Sequence, residues 1–268
     1  MYTTQIDHMN LHQIANSGQC FRWQQINDNT YKIPAFGKEL TISQDGNTFI
    51  LSCDENEWNS LWRNYFDLET NYNEVENIIM ESNDDFLKTA YQFGSGIRIL
   101  RQDLWEVIIS FIISQNNNIP RIKKSIKKLC DEFDGEFPDY IDLINMSYCN
   151  TLSKMGLGYR DKYLLNIIPW WTAKGKYINW ESLSNEKSKS ELMKIKGIGK
   201  KVSECILLFG LHKLDSFPID THIKKILDRE YNGEIPEWAE NKYAGLFQQY
   251  IFYYELNHKQ IEWTFICV

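Results

Sequence analysis

Apolar and polar residues alternate from Lys38 to Cys53, in KELTISQDGNTFILSC, on both sides of Asp45-Gly46. A period of two reads as a strand with one face buried, and Asp-Gly suits the positive φ values of a tight turn. The stretch therefore predicts a hairpin. The shorter runs CFRWQ, from Cys20, and TYKIPAF, from Thr30, read as further strands. From Asp54 onward the period becomes helical, with Trp58, Leu61, Trp62, Tyr65 and Phe66 recurring at three and four. Beyond about residue 97 the chain reads as helices separated by Asn, Gly and Pro. The expectation is an α+β fold: an N-terminal antiparallel β-sheet domain with helices, residues 1–96, packed on a larger all-α domain, residues 97–268. No internal repeat and no low-complexity block interrupts it.

Composition supports a folded chain and sharpens the question of partners. Of the 268 residues 43% are hydrophobic and 14% aromatic, far from a disordered composition. Aromatics in excess of what a core needs would suit stacking on bases. A net charge of −7 argues against a polyanionic partner when taken alone. The basic residues are unevenly placed, however, in RIKKSIKK (Arg121–Lys128), KIKGIGKK (Lys194–Lys201) and HIKKILDR (His222–Arg229). Each run alone reads equally well as a solvated helix face; three beside special turns predict one shared basic surface. The six cysteines, at 20, 53, 130, 149, 205 and 267, show no CxxC spacing, which speaks against a zinc knuckle or an iron–sulfur cluster. The N-terminus MYTTQIDHMN has no signal-peptide core, and the longest apolar run, VIISFII, is too short to span a bilayer. A cytoplasmic protein without membrane contact is expected, nucleoid-associated in a prokaryote.

The stretch from Lys194 to Ile223 carries the candidate chemistry. Ser188 and Glu191 have capping-box spacing, which predicts a short helix over 189–195. Gly197 and Gly199 then break it, and Lys200 opens a second helix with the apolar stripe Val202, Cys205, Ile206 and Phe209, ending at Gly210. In this helix–hairpin–helix pattern the glycines allow close approach of a phosphate, and the unpaired N–H groups of the second helix would face it. Lys200 shares its side with Ser203 and Glu204, and an i,i+4 pair with Glu204 would keep it solvated. Lys201 lines up with Cys205 and Leu208 at the border of the apolar face. Partial desolvation and the positive end of the helix dipole both favour its neutral amine, which makes Lys201 the better candidate nucleophile. Asp220, behind Ser216-Phe217-Pro218-Ile219, reads as the N-cap of a helix carrying Ile223, Ile226 and Leu227. Capping and catalysis are compatible there, since a carboxylate fixed at a helix start can stabilise a cation forming beside it.

The arrangement Gly197-Ile198-Gly199, Lys201, Pro218, Asp220 and His222 resembles the helix-hairpin-helix DNA glycosylases with a Gly/Pro-rich loop and an aspartate. SGQCFRW (Ser17–Trp23), FIISQNNNIPRI (Phe111–Ile122), MGLGYRDKY (Met155–Tyr163) and YAGLFQQYIF (Tyr243–Phe252), in this order, narrow the resemblance to the 8-oxoguanine DNA glycosylases. The resemblance implies a bifunctional glycosylase and abasic-site lyase acting on double-stranded DNA that contains an oxidised purine, as a monomer. A flipped-out nucleotide would meet Lys201 at C1′, and the resulting Schiff base would allow β-elimination, with Asp220 stabilising the oxocarbenium-like charge. No redox cofactor and no catalytic metal is implied; at most a cation would sit in the hairpin, near the carbonyls of Met193, Ile195 and Ile198. The backbone carbonyl of Gly18 would accept the N7 hydrogen that guanine lacks. Cys205 and Phe252 would sandwich the ring beside Pro218, and Gln248 would read its Watson–Crick edge. Asn116 would fill the vacated space, Tyr159 would wedge beside it, and Arg121 and Arg160 would meet the orphaned cytosine, giving a preference for cytosine opposite the lesion. Gly197, Gly199 and His222 would contact the backbone of the duplex.

Each residue also has an ordinary reading: Gly18 a turn, Cys205 and Phe252 core, Gln248 a surface amide, Asn116 a helix end. Three alternatives therefore stand beside the glycosylase. One is a non-catalytic helix-hairpin-helix DNA-binding module, another a related glycosylase with a different lesion specificity. The third is a helical protein that uses its aromatic surface for a protein partner.

Overall fold

A computed structural model describes residues 1–258 in full and the course of the last helix to Ile266; Cys267 lies outside the described residues. Five strands, β1 (Tyr2–Gln5), β2 (Gln24–Asn27), β3 (Thr30–Ala35), β4 (Lys38–Asp45) and β5 (Thr48–Leu51), form one sheet in the order β1-β5-β4-β3-β2. The β4–β5 hairpin is the one its alternation predicts. Asp45 faces Thr48 across the turn, Gly46 takes a φ of +56°, and Leu40, Ile42, Phe49 and Leu51 are fully buried. CFRWQ is not a strand: only Gln24 enters β2, while Cys20, Phe21 and Trp23 are buried as irregular chain. The Trp23 indole N–H donates to the Tyr65 hydroxyl at 2.8 Å, so this segment serves as an aromatic anchor where sheet pairing was expected. β1 carries no hydrophobic alternation and is placed by its pairing with β5.

The helical period after Asp54 is also realised. The Asp54 carboxylate accepts the Glu57 N–H, and a helical path follows from Glu55 to Tyr65, with a π-helical turn over Trp58–Trp62. Trp58, Trp62, Tyr65 and Phe66 are all buried on its inner face.

The described chain forms two compact units. The first contains residues 1–33, 39–101 and 214–268. Within it the last helix, Ala244–Ile266, packs along the Asp85–Gly94 helix, with Tyr250 edge-on to Tyr91. A buried polar knot closes the turn after Tyr65: Asp67 accepts from the Tyr72 hydroxyl at 3.0 Å and from Arg101 Nε at 3.1 Å. The Arg98 guanidinium donates to the Asp67 carbonyl and lies over the Tyr72 ring. Burial and the neighbouring Asp67 push the Tyr72 hydroxyl well above its ordinary range, so it stays a donor to that carboxylate.

The second unit contains residues 34–38 and 102–213. Its centre is the Leu104–Ser114 helix, apolar on nearly every side and buried accordingly. It packs on the Lys200–Gly210 helix, where Phe111 and Phe209 stack with ring centroids 5.3 Å apart and planes 8° apart. The helix before the hairpin runs from Asn185 to Leu192, and its cap is Ser184, which accepts from the Lys187 N–H. The box expected of Ser188 and Glu191 does not form. Ser188 is buried mid-helix with its N–H bonded to the Ser184 carbonyl, and the Glu191 carboxylate reaches Lys174 at 2.7 Å and Lys194 at 2.6 Å. No helix among the described residues is long and apolar enough to cross a membrane. No group of three or more His, Cys, Asp or Glu among them could hold a metal ion.

The Glu191 bridge predicts a pH dependence. Hydrogen bonds from Lys174 and then Lys194 hold its carboxyl below the ordinary value of 4.5. A depressed carboxylate stabilises the folded state above the unfolded pKa, and that contribution is lost as pH falls through the folded value. Glu191→Gln should therefore lower the melting temperature at pH 7 and flatten the decline below pH ~4.5, with the two proteins converging in acid. Thermal unfolding across a pH series checks this; parallel curves would contradict it.

Candidate active site

Gly197 and Gly199, equal in the sequence, have different duties. Gly197 takes a φ of +106°, and a Cβ built on it would lie 2.6 Å from Cγ of the Tyr163 ring. Only glycine fits between that ring and the turn. The Gly197 carbonyl accepts from Gln115 Nε2 at 2.9 Å, and the Ile198 N–H returns to the Ile195 carbonyl at 3.0 Å, closing the hairpin. Gly199 is exposed, extended, and has nothing within 4 Å of a built Cβ. It caps the Lys200–Gly210 helix without a side chain, which leaves the first-turn amides open to an anion.

The two lysines separate as their helical positions predict. Lys200 is exposed, whereas Lys201 is half-buried with Nζ 5.7 Å from the centroid of the Phe111 ring. Phe111 is itself fixed by its stack on Phe209, so the seam between the two helices dictates where this amine can stand. Glu204 pairs with Lys189 of the preceding helix where the spacing pointed to Lys200. The long Lys189 side chain reaches it across the hairpin, and Lys200 is left to solvent. Cys205 is buried one turn after Lys201.

At the far end of the Leu104–Ser114 helix the chain turns through Asn116 in the left-handed region, with φ +48°. The next helix, Ile119–Asp131, is capped by Asn118, whose side chain accepts from the Arg121 N–H. Tyr159 and Arg160 gather around this turn. Arg160 is only 5% exposed; its Nε donates to the Gln115 carbonyl at 2.8 Å and its Nη2 to the Asn116 carbonyl at 2.9 Å. Its guanidinium lies 4.7 Å from the centroid of the exposed Tyr159 ring. Asn116, Tyr159 and Arg160 are thus brought together, and Arg121 is exposed in the first turn of its helix.

The other candidates belong to the first unit. Gly18 follows the Leu11–Asn16 helix with φ +79°, and the loop is held by the buried amide of Gln19. That amide donates to Ser17 Oγ and to the Arg98 carbonyl, both at 2.9 Å, and accepts from the Leu100 N–H at 2.8 Å. Gln19 is a residue that reading the sequence missed; nothing short of the fold shows that it ties the Gly18 loop to residues 98 and 100. Asp220 caps the Thr221–Glu230 helix as expected, its Oδ1 accepting from His222 N–H at 2.9 Å and Ile223 N–H at 2.8 Å. Pro218, two residues before it, is buried. The His222 ring is exposed and stands edge-on to Phe252, centroids 5.9 Å apart. Gln248 is 4% exposed and its Oε1 has no hydrogen-bond partner, a buried acceptor in want of a donor. A polar cleft of about 580 Å³ in this unit, lined by His8, His12, Tyr31, Gln44 and Glu76, contains none of the candidate residues.

The expected shared basic surface is reduced by ion pairs. Lys127 binds Asp131, Lys194 binds Glu191, and Arg229 binds Glu230 and Glu255. Arg121, Lys124, Lys128, Lys196, Lys200, Lys224 and Lys225 remain exposed.

Known proteins share this fold. Residues 1–108 match the family described as 8-oxoguanine DNA glycosylase, N-terminal domain. The Saccharomyces cerevisiae N-glycosylase/DNA lyase is 29% identical over 82% of this chain and 68% of its own length. MBOgg1, solved with a low-affinity DNA ligand, superposes with a TM-score of 0.86 at 31% identity over 96% of both chains. The Clostridium acetobutylicum 8-oxoguanine glycosylase/lyase was solved with double-stranded DNA containing cytosine opposite 8-oxoguanine. It superposes with a TM-score of 0.85 at 30% identity, over 97% of this chain and 99% of that one. This chain belongs to the 8-oxoguanine DNA glycosylase/lyase family. The likeness runs through nearly the whole length and so takes in both units.

The hairpin geometry of this family member makes a differential prediction. Gly197→Ala meets both the Tyr163 ring and an unfavourable φ, and should cost about 3 kcal/mol. Gly199→Ala enters open space at an ordinary φ, and should cost less than about 1 kcal/mol. Urea unfolding of the two variants tests the assignment, and equal losses would refute it.

Proposed function

We propose that the chain removes 8-oxoguanine from double-stranded DNA and cleaves the strand at the abasic site, with Lys201 as the nucleophile. Glycosylase and lyase activity accord with the family. The observation that carries the choice of lysine is its position: half-buried beside the Phe111 ring, one residue inside a helix that opens on an uncovered glycine. In this reading phosphate meets the open amides after Gly199, and Lys201 Nζ attacks C1′ of the everted nucleotide. The C1′–N9 bond breaks with its electron pair leaving on the base. Loss of a proton and opening of the sugar give an imine between Nζ and C1′. Removal of a C2′ proton then expels the 3′ phosphate by cleavage of C3′–O. The sequence neither consumes nor supplies electrons overall, so no redox partner is needed.

Asp220 supports the developing positive charge on the sugar. Its Oδ1 is occupied by two helix amides, which keeps the carboxylate fixed while the charge forms. Gly18 offers its carbonyl to the N7 hydrogen of the lesion, Gln248 reads the Watson–Crick edge with a buried oxygen that lacks a donor, and Cys205, Pro218 and Phe252 enclose the ring. An unmatched carbonyl facing N7 of ordinary guanine would cost about 1–3 kcal/mol, the basis for sparing normal bases. Asn116 and Tyr159 occupy the vacated space, and Arg121 and Arg160 select cytosine opposite the lesion. His222 and the hairpin hold the backbone. By fold type the N-terminal domain is residues 1–96 and the helical catalytic domain 97–268, acting as a monomer in the compartment that holds the DNA.

Two experiments test this. Lys201→Gln should abolish strand scission of duplexes carrying 8-oxoguanine and abolish borohydride-dependent cross-linking, while DNA binding persists; full cleavage by the variant would refute the nucleophile. Comparing rates opposite each base, cytosine should be cut fastest and Arg121→Ala should narrow the difference; equal cutting opposite all four bases in the unaltered protein would remove the roles given to Arg121 and Arg160.

A further inference from the structure

Gln115 stands outside every role assigned so far, yet two parts of the second unit meet on it. Its side-chain amide donates to the Gly197 carbonyl at 2.9 Å, 82 residues away in the chain. Its own carbonyl accepts from Arg160 through Nε and Nη2, and from the Tyr159 hydroxyl at 3.4 Å. A second path joins the same two places. The Tyr159 ring stands edge-on to Tyr163, centroids 5.4 Å apart, and the Tyr163 ring fills the space beneath Gly197. The turn at Asn116 and the hairpin that leads into Lys201 are thereby tied into a closed circuit: Gly197, Gln115, Arg160 with Tyr159, Tyr163, and Gly197 again.

We propose that Gln115 is a positioning residue that couples the reading of the opposite base to the placement of the hairpin. The inference rests on the reading above, in which Asn116, Tyr159 and Arg160 face the gap and the orphaned base. Arg160 holds two successive carbonyls, those of Gln115 and Asn116, and keeps Asn116 in its left-handed conformation. Nε and Nη2 are committed to the Gln115 and Asn116 carbonyls and one Nη1 hydrogen to that of Leu157, which leaves a single N–H. A second donation to cytosine draws on this hold, and the Gln115 carbonyl it would release belongs to the residue whose side chain anchors Gly197. A base that Arg160 cannot engage leaves the circuit in its unbound arrangement. Movement at one end is a movement at the other because neither Gly197 nor Arg160 has room to shift alone: one is pressed on an aromatic ring, the other is buried.

The test is the ratio of single-turnover base-release rates with cytosine and with adenine opposite 8-oxoguanine. Gln115→Met keeps the length of the side chain and removes its donor. The ratio should fall by about tenfold, within the usual range of coupling between sites. Gln115→Lys, which restores a donor to the Gly197 carbonyl, should recover most of it. A merely structural role would slow both substrates alike and leave the ratio unchanged, and that outcome overturns the inference while the function stands. Absence of discrimination in the unaltered protein would instead overturn the opposite-base reading and the inference with it. Should the Met variant not fold, Gln115→Glu, isosteric and without a donor, carries the same comparison.

Discussion

The stack of Phe111 on Phe209 is the contact on which the rest of the second unit depends. It packs the Leu104–Ser114 and Lys200–Gly210 helices face to face, and their ends place several candidates of this unit. At the start of the second helix lie Gly199 and Lys201; at the end of the first lie Gln115 and Asn116. An apolar seam is well suited to this task because close-packed aromatic surfaces resist small displacements in a way that exposed ion pairs do not. It also supplies the one special environment the chemistry asks for, an amine with a ring on one side and an open glycine on the other.

Much of this was legible in the chain, and for definable reasons. Local periodicity carries local information. The β4–β5 hairpin followed from alternation around Asp45-Gly46, the bounds of the Lys200–Gly210 helix from glycines on both sides, and the Asp220 cap from its place before an apolar stripe. Lys201 was separable from Lys200 because a position one step round a helix decides between a seam and solvent. The failures share a cause as well. Ser188 matches a capping pattern, but the competing cap at Ser184 lets the helix start earlier and bury it, and Glu191 is drawn away by Lys174 and Lys194. Glu204 meets Lys189 before Lys200 for the same reason: a partner brought by the fold outcompetes one offered by spacing.

What no local pattern could show is the set of single long-range hydrogen bonds that aim backbone groups. Gln19 fixes the loop of Gly18 through residues near position 100, and Gln115 fixes the hairpin. Both are neutral amides with a donor and an acceptor on one rigid plane, able to bind a carbonyl at one edge and an N–H at the other. In a chain read residue by residue they look like any polar side chain near a turn. Gln19 is buried and bonded at both ends of its amide, while Gln115 is half-buried and joins two places through its side-chain donor and its main-chain carbonyl. The long reach of these bonds, not residue type, singles both out.

Charge gives the last step. A protein with net charge −7 must hold a polyanion, and three cations of the basic runs, Lys127, Lys194 and Arg229, are already committed to carboxylates. Backbone amides need no counter-charge to be effective: the open first turn after Gly199 presents N–H groups whose dipoles add, and they carry no side-chain entropy to lose. A rigid amide cradle adds a contribution to affinity that depends on the geometry of one backbone turn and not on the number of positive charges. That makes the support of the turn, by Tyr163 from below and Gln115 from the side, as consequential as the lysine that follows it.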